Sequence, residues 1–140
     1  MGKIRPNENV LWSFAPHDLS LIFKFIRSEI SNLSVQASKI LNNKIEDTTL
    51  STLDFKNGQK AHVFVSWIHP FKEQRFVIVG NKGSLVFSDS KKSNKLQHYK
   101  TIIKKDGTII SHDVKSINFA EREPLKEQAK YFLKSIGNRS

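Results

Sequence analysis

A histidine and an aspartate stand side by side at residues 17 and 18, within the stretch LWSFAPHDLSLIFKFI. His17 follows a proline and precedes an apolar periodic run, so the pair is predicted to lie at the start of a helix. An imidazole has an ordinary pKa near 6.5 and can accept a hydroxyl proton at neutral pH. Asp18 could orient that ring, but a carboxylate also suits a helix's first turn, where it complements the helix dipole. The pair therefore fits either acid–base chemistry or a plain helix start.

A second pair of candidates lies in the segment HPFK, where His69 and Lys72 follow a predicted strand. Binding residues tend to concentrate in short loops of this kind, although an ordinary solvated turn fits them equally well. The remaining histidines, His62, His98 and His112, are far apart in sequence and have no carboxylate at ligand spacing. The sequence therefore predicts no metal site.

Length and composition predict one domain spanning residues 1–140, since 38% hydrophobic content is enough to build a single core. The chain has no cysteine, which excludes disulfides and thiolate metal sites. No apolar run approaches the roughly 20 residues that span a bilayer, and the first residues lack an apolar leader. We expect a cytoplasmic protein without a membrane partner. The net charge of +10 favours polyanions, but the basic residues are scattered and form no nucleic-acid-binding motif, so nucleic acid is not the predicted partner.

Apolar spacing predicts a helix over about residues 16–31, with Pro16 in its first turn. A second helix is predicted to begin at Pro124 and to end near Ile136, with Gly137 just past its end. Between them, short runs of β-branched and aromatic residues predict strands at 61–68, 74–80 and 83–89. The turns KNGQ, GNKG and KDGT predict hairpins.

The order of helix, hairpins and helix predicts an α+β fold. We expect a mostly antiparallel meander sheet of about six strands between residues 34 and 119. Both helices should pack on one face of this sheet, and the other face should stay open.

Three ordered segments, NVLWSFAPHDLSLI, VSWIHPFKEQRFVIVGNKGSLVFSD and PLKEQAKYFLKSI, resemble the C-terminal domain of the glucose-fructose oxidoreductase/inositol dehydrogenase/MocA (Gfo/Idh/MocA) family. The resemblance covers nearly the whole chain and is closest to nucleotide-sugar members of the UDP-N-acetylglucosamine 3-dehydrogenase kind. In the family, an Asp-x-Gly-x-His segment places a histidine near the sugar hydroxyl that loses its proton. Aligning that histidine on His17 puts Ser13 and Ala15 at the aspartate and glycine positions, which are departures from the family pattern.

The resemblance implies a catalytic role for His17 and substrate-binding roles for Asp18, His69 and Lys72. It also implies NAD or NADP as the cofactor of a complete member. This chain shows neither the Gly-x-Gly-x-x-Gly spacing of a dinucleotide-binding unit nor the Glu-Lys-Pro segment that carries the family's catalytic lysine. We therefore expect no cofactor site and no metal site in this chain, and an N-terminal dinucleotide-binding domain is the part that it lacks.

Two hypotheses follow. In the first, the chain is the substrate domain of an NAD(P)-dependent sugar or nucleotide-sugar oxidoreductase, inactive as an isolated chain and either a gene remnant or one half of a two-chain enzyme. In the second, it is a non-enzymatic α+β binding or oligomerisation module with a basic surface. The apolar strands predict a homo-oligomer in both cases, and a separate dinucleotide-binding chain is the expected partner in the first. The sequence leaves open whether the chain itself is an enzyme.

Overall fold

The computed structural model describes residues 4–5, 7–41, 44–104 and 106–137, and the chain divides into two compact units between Glu73 and Gln74. We call residues 1–73 the first unit and residues 74–140 the second unit. The elements in chain order are α1 (Val10–Phe25), β1 (Ile30–Ser38), β2 (Thr48–Phe55), β3 (Lys60–Ser66), β4 (Arg75–Gly80), β5 (Gly83–Ser88), β6 (Leu96–Ile103), β7 (Ile109–Ser116) and α2 (Pro124–Gly137).

The first unit is a three-stranded antiparallel sheet, in the order β1-β2-β3, with α1 packed on β2 and β3. Alternate residues of β2 face the helix and are buried, and Leu53 and Phe55 supply the apolar part of that row. Val63 and Val65 extend the buried surface on β3, while Val10, Ala15 and Ile22 close it from the helix side. This period-2 burial is what a sheet covered on one face requires.

The second unit is a four-stranded antiparallel sheet in the order β4-β5-β6-β7, followed in the chain by α2. The hairpin between β4 and β5 needs glycine at position 83, because a Cβ atom there would lie 2.5 Å from the Tyr99 carbonyl oxygen. The Lys95 ammonium lies 2.9 Å from a Glu121 carboxylate oxygen, and the Phe87 and Phe119 rings lie 6.2 Å apart between centroids. These contacts join the strands to the segment that precedes α2.

The predicted α+β class with antiparallel strands is confirmed. The three predicted strands correspond to β3, β4 and β5, with bounds that agree to within two residues, and α2 begins at the predicted Pro124. The prediction of one sheet of about six strands is wrong. The described residues form two sheets with seven strands, because β3 and β4 are edge strands that do not pair with each other. The apolar stripe of α2 was expected to be covered, but no residue of α2 is buried within the part of the chain that the structure describes.

Candidate functional site

The helix that carries the first candidate pair begins earlier than predicted, at Val10, and ends at Phe25. Asn9 caps it, with its side-chain oxygen accepting a hydrogen bond of 2.9 Å from the Trp12 backbone N–H. Pro16 therefore lies inside the helix, where it removes one internal hydrogen bond. The prediction that His17 stands in the first turn is wrong, because the Asn9 cap starts the helix seven residues before Pro16. His17 is a mid-helix residue.

His17 belongs to the side of α1 that faces away from the sheet, and its side chain is exposed. Ser20 donates a hydrogen bond of 2.7 Å to the His17 backbone carbonyl. The ring has no hydrogen bond, ion pair or ring contact with any residue that the structure describes. Its nitrogens are thus accessible to a ligand or to another protein surface, and nothing seals the ring in the core.

Asp18 lies about 100° around the helix from His17, three residues after buried Ala15 and four before buried Ile22. Residues at this spacing share one helix face, so the Asp18 carboxylate is directed toward the sheet and is half-buried. Desolvation raises the pKa of Asp18 above its ordinary value, and the nearby His17 opposes that rise. The two adjacent candidates therefore face different environments.

His69 is the most constrained of the candidate side chains. Its Nδ1 lies 3.0 Å from the Phe71 carbonyl oxygen, and because a carbonyl only accepts, Nδ1 must carry the proton. Its ring packs edge-on against Phe71, with centroids 4.5 Å apart, and against Phe64 at 6.1 Å. This arrangement leaves Nε2 as the acceptor of a neutral ring. Lys72 is exposed in the same loop.

The two pairs of candidates are not in contact. Phe64 alternates with Val63 and Val65, which face α1, so the Phe64 ring against which His69 packs belongs to the other face of the sheet. No hydrogen bond, ion pair or ring contact among the described residues joins His17 or Asp18 to His69 or Lys72.

The described residues offer no cradle for a dinucleotide. Gly58, Gly80, Gly83 and Gly107 lie at hairpin turns, and Gly137 ends α2, so none of them opens a helix onto a phosphate. Over the same residues no cluster of three or more metal-ligating side chains occurs. Nor is any described helix long and apolar enough to cross a bilayer.

A family model for the GFO/IDH/MocA C-terminal domain matches residues 3–86. The chain belongs to the Gfo/Idh/MocA family. The match contains all of the first unit's helix and strands, together with β4 and most of β5. A search of curated protein sequences gives no significant match.

Solved structures of oxidoreductase-type proteins share the fold. UDP-N-acetylglucosamine 3-dehydrogenase GnnA from Acidithiobacillus ferrooxidans matches in two crystal forms, with TM-scores of 0.78 and 0.74 at 17% and 16% identity, over 99% and 96% of this chain. An NAD-binding protein from Listeria innocua matches with a TM-score of 0.67 at 16% identity, over 94% of this chain. The chain spans 44%, 40% and 38% of these three structures, less than half of each. At such identities the likeness shows the fold alone.

The structure also identifies a residue that the sequence reading missed. Asp47, only 1% exposed, accepts hydrogen bonds from the backbone N–H groups of Ile40 and Leu41, of 2.7 and 2.6 Å. Its own backbone N–H donates to the Ser38 carbonyl, and its carbonyl accepts from the Trp67 N–H. Its position just before an alternating strand was the available signal, since an aspartate there often satisfies the backbone of the preceding loop.

Proposed function

We propose that this chain is the substrate domain of an NAD(P)-dependent sugar or nucleotide-sugar oxidoreductase of the Gfo/Idh/MocA family. Its partner is a dinucleotide-binding domain, carried by a separate chain or by another part of the same protein. In this proposal the chain holds no cofactor, works in the cytoplasm, and is inactive without that partner. Family membership and the shared fold support the oxidoreductase class, and the outer face of α1 carries the proposal.

Exposed apolar side chains border His17 on that outer face. Phe14, 43% exposed, and Leu21, 38% exposed, lie three residues before and four residues after His17, on the same side of the helix. Trp12, 73% exposed, lies on the other flank, next to Phe23, whose ring packs edge-on against Phe55. Large exposed apolar surfaces mark interaction sites. We infer that a protein surface covers α1 around His17, and a dinucleotide-binding domain is the partner that the family membership suggests.

His17 would then lie at the interface between the two domains, and its ring would receive the proton of a sugar hydroxyl. Its two ring nitrogens have no protein partner among the described residues, so the imidazole can meet a substrate without first breaking an internal hydrogen bond. Asp18 would act indirectly, through its effect on His17, because its carboxylate faces the sheet. When bound to the partner domain, NAD or NADP would accept the hydride.

His69 and Lys72 are proposed as substrate-binding residues. The Nε2 atom of His69 is oriented as an acceptor by the Nδ1 bond to Phe71, and the Lys72 ammonium would attract a diphosphate. Because His69 packs against the sheet face opposite α1, its contribution and that of His17 must be measured separately.

Ligand binding by the 140-residue chain tests this proposal. UDP-sugars are titrated into the Trp67→Phe variant, so that the fluorescence of exposed Trp12 reports on the α1 surface. We expect saturable quenching that weakens in His17→Ala and remains unchanged in His62→Ala, since His62 lies on a strand and contacts Thr52. Equal affinity in both histidine variants would remove His17 from the site, and no binding of any nucleotide sugar would contradict the substrate class.

A second function, a non-enzymatic binding or oligomerisation module, is favoured by one observation on the second unit. Val77 and Val79 of β4 and Val114 of β7 leave apolar surface exposed on one sheet face, in a segment with strong positive charge. Such a surface suits a second copy of the chain or an acidic partner. Light scattering well above micromolar concentration should detect a homo-oligomer, and a strictly monomeric chain would contradict self-association.

A further inference from the structure

Three buried side-chain oxygens lie in one row on β2 and the residue before it. They are Oδ1 of Asp47, Oγ1 of Thr49 and Oγ of Ser51, and none has a hydrogen-bond partner among the residues that the structure describes. The three residues are 1%, 2% and 4% exposed. Because successive side chains of a strand alternate between faces, Thr49 and Ser51 share the face that α1 covers.

The opposite face of the same strand shows the reverse. The Thr48 hydroxyl donates to the Ser66 hydroxyl at 2.5 Å, and the Thr52 hydroxyl lies 3.2 Å from Nδ1 of His62. On the more exposed face the hydroxyls have protein partners, whereas the buried ones have none. Buried polar groups in folded proteins are almost always hydrogen-bonded, to protein or to ordered water. The buried row therefore requires a partner that the described part of the chain does not supply.

The spacing of the row fits water. Alternate residues on one strand face lie about 6.6 Å apart, and two water molecules joined through three hydrogen bonds of about 2.8 Å span roughly 6–7 Å. Two waters can thus link Asp47 to Thr49, and two more can link Thr49 to Ser51. A single cation cannot serve the row, because Asp47 and Ser51 lie about 13 Å apart by the same spacing.

We propose that a file of ordered water molecules binds between β2 and α1, along Asp47, Thr49 and Ser51. The polar lining is what separates such a site from an empty apolar cavity. The file begins at the residue whose Oδ2 atom already holds the Ile40 and Leu41 N–H groups. The Val10 N–H donates to the carbonyl of neighbouring Glu46, so the water lies where the start of α1 meets the sheet. This inference is independent of the proposed function.

The sign of one stability change tests the proposal. Thr49→Val replaces the hydroxyl by a methyl group of the same shape. Its unfolding by urea is compared with that of Thr48→Val, which loses the hydrogen bond to the Ser66 hydroxyl. If water bonds to Thr49, both variants should raise the unfolding equilibrium constant by about fivefold or more. If the Thr49 hydroxyl is dry and unpartnered, Thr49→Val should be as stable as the parent protein or more stable, and the proposal is overturned. Thr49→Ser keeps the hydroxyl and should retain the bound water.

A second measurement observes the water directly. In solution NMR, the backbone amides of Thr49 and Ser51 should show cross-relaxation with water of the sign that long-lived bound water gives, whereas the amide of exposed Lys60 should not. Loss of this signal in Thr49→Val would support the file. Absence of the signal in the parent protein, or a stability that rises when sodium replaces a large organic cation at constant ionic strength, would overturn it.

Discussion

The two units of the chain differ in what holds them together. Every described residue that is both apolar and buried belongs to the first unit, whereas Ser88 is the single buried residue described in the second. The charges differ as well. Residues 1–73 contain 9 Lys and Arg against 7 Asp and Glu, and residues 74–140 contain 14 against 6. The first unit thus has its own core. The second is a hydrogen-bonded, strongly basic sheet whose described apolar side chains are not buried.

The difference teaches that one covering helix decides which sheet has a core. α1 seals one face of β2 and β3, and the sheet of the second unit has no comparable helix in contact with it among the described residues. Apolar burial is the main favourable term in folding. We therefore expect substitutions in the first unit to affect stability far more than equivalent ones in the second.

Leu53→Ala should produce the largest loss. Leu53 is 2% exposed beneath α1, and truncating a buried leucine costs about 2–5 kcal/mol because a cavity remains. Val77→Ala, at a half-exposed position of β4, should cost about 0.5 kcal/mol or less. Denaturant unfolding of both variants measures the contrast. Similar losses at the two positions would mean that the second unit has a core that its exposed side chains do not reveal.

Asp47→Ala should rank next. It removes Oδ2, the one oxygen that accepts from both the Ile40 and Leu41 N–H groups, and leaving buried donors without a partner costs about 1–3 kcal/mol each, although the two are not additive. Asp54→Ala is the matched control, because its carboxylate pairs with Lys60 at the surface and should matter less. Denaturant unfolding of both variants measures the difference. Equal losses in the free energy of unfolding would contradict the role given to Asp47.

The sequence predicted those parts of the fold that local chemistry decides. The Asn-Gly and Asp-Gly pairs place Gly58 and Gly107 at positive φ, as hairpin turns require. The start of α2 follows from Pro124, which suits the first helical position. These features depend on a few neighbouring residues, and so they can be recognised without tertiary contacts.

The helix α1 shows what local reasoning missed. Pro16 suits a helix start, but Asn9 caps the helix and the packing of Val10 and Ala15 outweighs the lost hydrogen bond at Pro16. Ile30 continued the helical spacing, yet it begins β1 opposite Phe55. The separation of the two sheets and the distance between the candidate pairs depend on which strands pair. The pattern of residues within a single strand does not specify its partner strand.

Asp18→Asn should change the pH dependence of stability more than its size. Because burial raises the pKa of Asp18, the folded state holds its proton more tightly than the unfolded chain does. The stabilisation is present at low pH and is lost as the pH rises from near 3.9, the ordinary value, through the higher folded value. Asp18→Asn should therefore be more stable than the parent at neutral pH, with a flatter profile. If the stability of the parent, relative to that of Asp18→Asn, rises with pH through that window, Asp18 is not desolvated in the folded state.

Trp12→Ser should have the smallest effect on stability, within about 0.5 kcal/mol, because the side chain is mostly exposed. The same substitution should weaken association with a dinucleotide-binding partner, because it removes the most exposed ring of α1. Unfolding curves and a pull-down with the partner domain separate the two properties. A large loss of stability would show that Trp12 is part of the first unit's core instead.

The central claim is the proposal that His17 accepts the proton of a sugar hydroxyl only when a dinucleotide-binding domain supplies the electron acceptor. Holding a nicotinamide ring against the sugar carbon can be worth about 7–11 kcal/mol of the barrier, and the described residues contain no cradle for it. The direct test incubates the purified 140-residue chain with NAD or NADP and a panel of UDP-sugars, and follows the absorbance of the reduced cofactor. The account predicts no reduction above background. Reduction that disappears in His17→Ala would contradict it.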